Sequence, residues 1–201
     1  MDYIEAIKAY EPINEQETND KEVILDYIKN FEKNVLYREN KIAHITSSGF
    51  IMNETLDKVL FIHHNIMNHW AWTGGHADGY KDLLYVALKE AKEETGIIEV
   101  KPLSDKIASI DILSVVPHIK NSKYINSHLH LSIAYILIAN ENKELKICKD
   151  ENSAVKWLPI ENITKEHFSE YDVYLYNKLT TKSIGIVSKD IKGYLKKFIK
   201  H

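Results

Sequence analysis

A single cysteine, Cys148, occurs in the 201 residues, which excludes an intramolecular disulfide and a zinc site built on cysteine. It falls in Leu145-Lys146-Ile147-Cys148, a weak strand candidate in which a half-buried structural thiol is the expected role. No apolar run approaches the length needed to span a bilayer. The opening MDYIEAIKAYEP lacks the basic start and apolar centre of a secretion signal, so a cytoplasmic protein is expected. Internal repeats, low-complexity linkers and a DNA-binding helix-turn-helix pattern are also missing. An excess of either charge is missing, with 26 Lys and Arg against 29 Asp and Glu. A formal net charge of −3 gives no reason to expect a nucleic-acid or membrane partner. The 44% hydrophobic content is enough for a real core, and the length suits one large domain or a typical core with additions.

The pattern along the chain is helical, then strand-rich, then helical again. Tyr3, Ile4, Ile7 and Tyr10 repeat at helical spacing and Pro12 ends the run. Asn19-Asp20 offers a cap for a second helix through Val23, Ile24, Tyr27, Ile28 and Phe31. Ile45 to Met52 and Val59 to His63 read as a hairpin joined by a turn. Trp70 to Trp72, Ile107 to Val115 and His130 to Ala139 are further strands, with Leu145 to Cys148 and Val155 to Leu158 weaker ones. Residues 164 to 201 return to helix, with Phe168, Val173, Tyr174 and Leu175 apolar and a basic end, KGYLKKFIKH. Periodicity alone supports mixed α and β.

Residues 74 to 97, GGHADGYKDLLYVALKEAKEETGI, carry the functional signal. At roughly 100° per residue, Leu84, Ala87, Leu88 and Ala91 form an apolar stripe. Glu90, Glu93 and Glu94 are spaced i, i+3, i+4 on another face, near enough to share one ion. Three carboxylates at a helix C-terminus oppose the macrodipole, and a cation among them removes the conflict. Hard oxygen donors of this kind suit Mg²⁺ or Mn²⁺. A solvated face screened by Lys89 and Lys92 is the bland alternative for the helix taken alone. The flanking glycines weigh against it: Gly74-Gly75 suggests a close backbone approach, and Gly96 suits a left-handed C′ position.

The segment resembles the signature of the Nudix hydrolase family, G-x5-E-x7-R-E-U-x-E-E-x-G-U with U aliphatic. Gly75, Glu90, Ala91, Glu93, Glu94, Gly96 and Ile97 fall on matching positions. Two positions depart: Lys81 stands for the first glutamate and Lys89 for the arginine. The family's ion pair between loop and helix cannot form here as such, and Asp78 or Asp82 is the acid near enough in sequence to pair with Lys89. The wording GGHADG looks like a bacterial subgroup with an extra helical N-terminal segment. The resemblance implies an α/β sandwich of mixed sheets over residues 44–162. A helical accessory segment would cover 1–43, packing on that domain or a second subunit, and further helix 163–201.

By the same resemblance, Glu90, Glu93 and Glu94 hold Mg²⁺, with the Gly74 carbonyl as a backbone ligand. Glu151, in the loop before a late strand carrying Trp157, joins as ligand or base. The base itself is left open, with Glu90 placed first. The implied reaction is attack of water on a nucleoside diphosphate linked to another group. The alternatives are a non-catalytic Nudix-like nucleotide or sugar-nucleotide sensor, motivated by Lys81 and Lys89, and prenyl-diphosphate isomerisation, for which Cys148 is badly placed. Among ten histidines, His76 follows the glycine pair, and His128 and His130 alternate so as to share one sheet face. With Lys120 and Lys123 in HIKNSKYINSH, these are the candidate substrate contacts. No spacing among the histidines resembles a helical zinc motif, so a zinc site is not the favoured reading. Trp70, Trp72 and Tyr124 are candidates for stacking on a base, with core packing the simpler role for the tryptophans. A homodimer is expected as the assembly.

Overall fold

A computed structural model describes residues 2–120 and 122–198, with side chains described through residue 188. Helices α1 (Tyr3–Ala9) and α2 (Glu15–Phe31) come first. Asp2 caps α1 by accepting from the Ile4 N–H, and Asn14 caps α2 by accepting from the Glu17 N–H. The second helix thus begins ahead of the Asn19-Asp20 cap expected from sequence. Asn14 is extended, at φ −153°, and Glu15 and Glu17 place negative charge in the first turn, where the dipole favours it.

The strands are β1 (Ala43–Met52), β2 (Lys58–His64), β3 (His69–Ala71), β4 (Thr73–His76), β5 (Val100–Pro102), β6 (Ser109–Val115), β7 (His118–Lys120), β8 (Lys123–Ile125), β9 (His128–Ala139) and β10 (Asn152–Pro159). Helix α3 (Leu83–Thr95) lies between β4 and β5, and α4 (Glu170–Phe198) follows β10. The basic stretch 192–201 lies outside the residues whose side chains are described. Eight strands form one mixed sheet of order β10-β2-β1-β9-β5, with β3 on β2, β4 on β1 and β6 on β9. β1 runs parallel to β9 from Ala43↔Leu129 to Met52↔Ile138. Its other edge pairs with β4 near its start and with β2 near its end. Covered on both edges and both faces, all its residues are buried.

Side-chain alternation along β1 divides two cores. Ile45 and Ile51 join Ala87 and Ala91 of α3, Ile7 of α1 and Ile24 and Ile28 of α2 in one. Phe50 and Met52 join Phe61, Ile136, Phe168 and Tyr176 in the other, under α4. The result is a mixed sheet between helical layers, as expected, with the N-terminal helices built into the first core. Three readings change. Gly74 and Gly75 lie in β4 rather than in a loop. The HIKNSKYINSH loop contains the β7–β8 hairpin, pairing Lys120 with Lys123. Leu145 to Cys148 forms no strand, because its backbone partner is the end of α3: the Lys146 N–H donates to the Thr95 carbonyl at 2.8 Å.

The chain's two helical ends meet in a buried ion cluster. Lys178 Nζ of α4 lies 3.1 Å from Glu17 Oε1 of α2 and 2.6 Å from Asp111 Oδ1 of β6, and Lys182 Nζ lies 2.8 Å from Glu17 Oε1. Burial alone would raise the Glu17 carboxyl, but hydrogen bonds from Lys182, Tyr10 and the Ile13 N–H outweigh it and hold it below the usual range. Two ammonium groups balance two carboxylates, so removing one leaves an uncompensated buried charge. Lys178→Met should therefore cost about 3–5 kcal/mol in urea unfolding. A loss under about 1 kcal/mol would show that the cluster is not holding α2 to α4.

Candidate active site

Helix α3 is fixed at both ends. Asp82 caps its start through the Tyr85 N–H at 3.0 Å. Gly96, at φ 74°, closes it by donating to the Lys92 carbonyl at 2.9 Å. Between these points Leu83, Val86, Ala87 and Ala91 are buried against the sheet, while Leu84 and Leu88 are half-buried. The buried side is therefore turned from the expected stripe, and it takes Glu94 with it. Glu94 is only 4% exposed, whereas Glu90 is half-buried and Glu93 is exposed.

Glu94 Oε2 accepts the Gly74 N–H at 2.9 Å, and the Asn152 amide donates to the Glu94 backbone carbonyl at 2.8 Å. Burial pushes the Glu94 carboxyl up to about 8, against the pull of the Gly74 N–H, and Glu90, Glu151 and Glu93 add repulsion. Glu90 lies over β4: a Cβ on Gly75 would fall 2.5 Å from the Glu90 carboxyl carbon. Only a glycine permits that approach.

Lys89 occupies the position next to this acid set. Its Nζ lies 2.9 Å from Glu90 Oε1 and 2.8 Å from Glu93 Oε2. Neither acid suggested by sequence pairs with it. Asp82 is the helix cap, and Asp78 receives both Nε (2.9 Å) and Nη2 of Arg38. Lys81 instead faces Asp2 at 3.8 Å. Arg38 is the sole arginine of the chain. With the Leu36 carbonyl, which accepts from the Gly79 N–H at 3.0 Å, it fixes the turn between β4 and α3. The N-terminal segment thus supplies the brace that Lys81 and Lys89 cannot form.

The remaining candidates fall into two groups. Glu151 Oε1 is 3.6 Å from Lys120 Nζ, one residue before the buried Asn152 that ties β10 to the end of α3. Lys123 is exposed on the outer strand of the hairpin. His76, His128 and His130 gather with His44, whose only signal in the sequence is its place at the start of a strand. His128 and His130 do share a face, with their Nε2 atoms 3.3 Å apart. Burial pushes His76 down to about 3, helped by Arg38 and His44, and His130 down to about 2, helped by His76 and His44. Burial thus favours the neutral imidazole at His76 and His130. On the same side of the sheet, a groove of about 550 Å³ is lined in part by Trp72, Leu113, His167, Phe168, Tyr171 and Tyr176. Trp70 and Trp72 pack on the second core, and Tyr124 is exposed.

The donor set of α3 fits a hard divalent cation. An ammonium already bridges two of its carboxylates, and the third is buried with one neutral donor, Gly74 N–H, and no cationic partner among the described residues. The family model for the NUDIX domain matches residues 43–178. The chain belongs to the Nudix hydrolase family, and with it to the pyrophosphohydrolases. Among solved structures, a C. elegans Ap4A hydrolase is similar at 16% identity and TM-score 0.48, covering 72% of this chain and 98% of that one. A NUDIX-family hydrolase from Clostridium perfringens is similar at 22% identity and TM-score 0.49, covering 69% and 96%. A MutT protein from Methanosarcina mazei is similar at 19% identity and TM-score 0.46, covering 71% and 96%. No curated protein matches the sequence.

The raised Glu94 carboxyl sets a pH dependence. Its folded-state value lies above its unfolded one, so the folded state holds the extra proton; the associated stability is full below the unfolded value and lost as pH rises toward about 8. In EDTA the melting temperature should fall between pH 5 and pH 8.5, and Mg²⁺ should restore more of it at pH 8.5 than at pH 5.5. A Glu94→Gln protein should show neither the slope nor the Mg²⁺ increment. Equal Mg²⁺ increments at the two pH values would contradict this account of Glu94.

Proposed function

We propose that this Nudix hydrolase is Mg²⁺-dependent, with Mn²⁺ as a substitute, and cleaves the diphosphate of a nucleoside diphosphate linked to another group. The observation that carries the reading is the buried Glu94 carboxylate, held on the Gly74 N–H and repelled by Glu90 and Glu151, with no cationic partner among the described residues. Glu90, Glu93 and Glu94 would hold the ion, with the Gly74 carbonyl and Glu151 as further donors. Bound Mg²⁺ neutralises phosphate oxygens and lowers the pKa of water. The protein's part is positional. Gly75 lets Glu90 reach over β4, Arg38 keeps the turn rigid through Asp78, and Glu90 is the first candidate to take the proton of the attacking water. Lys120, beside Glu151, would meet the anionic substrate, and Lys123 follows it on the same hairpin. A nucleotide-type small molecule is the partner.

The bridge from Lys89 to Glu90 and Glu93 favours a second reading, a nucleotide sensor in which the ammonium replaces the metal. A phosphate-release screen separates the two. The panel is dinucleoside polyphosphates, nucleotide sugars, NADH, coenzyme A and modified nucleotides, each with and without Mg²⁺. The enzyme reading expects Mg²⁺-dependent turnover of at least one class. Glu94→Gln should lower that turnover at least about a hundredfold, or about 2.7 kcal/mol, without loss of folding. Glu151→Gln should lower kcat more than it raises KM. Binding without turnover across the whole panel would establish the sensor instead.

A further inference from the structure

Four imidazoles from three strands meet on the sheet face that carries α4, opposite the face that Glu90 covers. His44 of β1 is the register partner of His130 of β9, and His76 of β4 is the partner of Thr46, two residues along β1 from His44. His128 lies two residues before His130 and so projects to the same side. The ligand-capable nitrogens of His44, His76 and His130 all lie within 4.8 Å of one another. Ring centroids are 4.9 Å apart for His44 and His76, 5.1 Å for His76 and His130, and 5.2 Å for His44 and His130.

The hydrogen bonds around the cluster fix where the lone pairs point. His44 Nδ1 lies 2.9 Å from the Asn40 carbonyl, which can only accept, so Nδ1 carries the proton and Nε2 is a bare acceptor. His44 is 3% exposed, and its Nε2 has no hydrogen-bond partner among the described residues. A buried acceptor left unpaired is costly, and a cation relieves it. His128 repeats the arrangement, with Nδ1 2.8 Å from the Asn126 carbonyl. A histidine whose outer nitrogen is bound by a backbone carbonyl is oriented as metal-ligating histidines are. The 3.3 Å between Nε2 of His128 and Nε2 of His130 is about the separation of two ligands on a tetrahedral ion with bonds of roughly 2.0–2.1 Å. An anion would meet the lone pairs of His44 and His128, so the cluster does not suit a phosphate. Nor do imidazoles without a carboxylate suit Mg²⁺.

We propose that His44, His76 and His130, with His128 at the fourth corner, form a nitrogen-donor site for a Zn²⁺-class transition-metal ion, distinct from the acidic set on α3. The ion would pin the start of β1 to β4 and β9. His76 is two residues from Gly74, about 7 Å along the strand, so the site would steady the N–H that holds Glu94. The sequence did not favour a zinc site because these ligands come from three strands and have no motif spacing.

The test is metal binding by the full chain after EDTA treatment and desalting. Co²⁺ titration should give the intense visible bands of tetrahedral nitrogen coordination. Zn²⁺ should displace it at one equivalent. Glu94→Gln should bind Zn²⁺ as wild type does, whereas His130→Ala and the half-buried His76→Gln should each bind at least about a hundredfold more weakly, since outer-sphere partners of ligands alone are worth 10–100-fold. Circular dichroism of both histidine variants guards against misfolding as the cause. No stoichiometric Zn²⁺ in wild type, or Zn²⁺ that survives both histidine substitutions, or Zn²⁺ lost with Glu94→Gln alone, would each overturn the site.

Discussion

The buried carboxylate of Glu94 on the N–H of Gly74 is the contact on which the rest of the site depends. It joins the last turn of α3 to the one edge of β4 that pairs with no strand. Burial makes it an expensive place for charge, and three further acids nearby make it more so. A fold that keeps such a group gains little stability from it in metal-free form. On the proposed function, what it gains is a carboxylate held against β4 that a cation would complete.

Much of the fold serves to hold that contact in place. β1, paired with β9 along its length and with β4 near its start, fixes the strand that carries Gly74. Asn152 ties β10 to the last turn of α3, and Arg38 reaches from the N-terminal segment to Asp78. The helical ends are thereby part of the same mechanical unit, locked by Glu17, Lys178 and Asp111. β4 is central in chemistry as well: Gly75 admits Glu90 from the α3 side, and His76 on the opposite side joins the histidine cluster. On the reading proposed here, one short strand separates a hard-oxygen site from an imidazole site.

What was legible in the sequence was local. Gly96 announced the end of α3 because a left-handed cap has few alternatives to glycine, and the hairpin of β1 and β2 showed in its alternation. The closeness of Gly75 to another group was legible too, though not that the group is Glu90. The burial of Glu94 was not, because an i, i+4 spacing says which residues share a helix face and not which face the sheet covers. Arg38 and His44 were missed for a similar reason. Each acts on a residue far along the chain, and the signal available, a lone arginine and a histidine at a strand boundary, carries no direction. The brace was sought at Lys81 and Lys89 by analogy, and the chain supplies it from outside the motif.

Where a divalent ion settles decides whether the acidic face of α3 is the metal site. Backbone amide resonances of the full chain, followed as Mn²⁺ is added in substoichiometric steps at pH 8, locate the ion through paramagnetic broadening. The amides of Gly74, Glu90, Glu93 and Glu94 should broaden first, and excess Mg²⁺ should restore them. Should those amides stay sharp while broadening centres elsewhere, the acidic set on α3 is not the metal site and the catalytic account built on it fails.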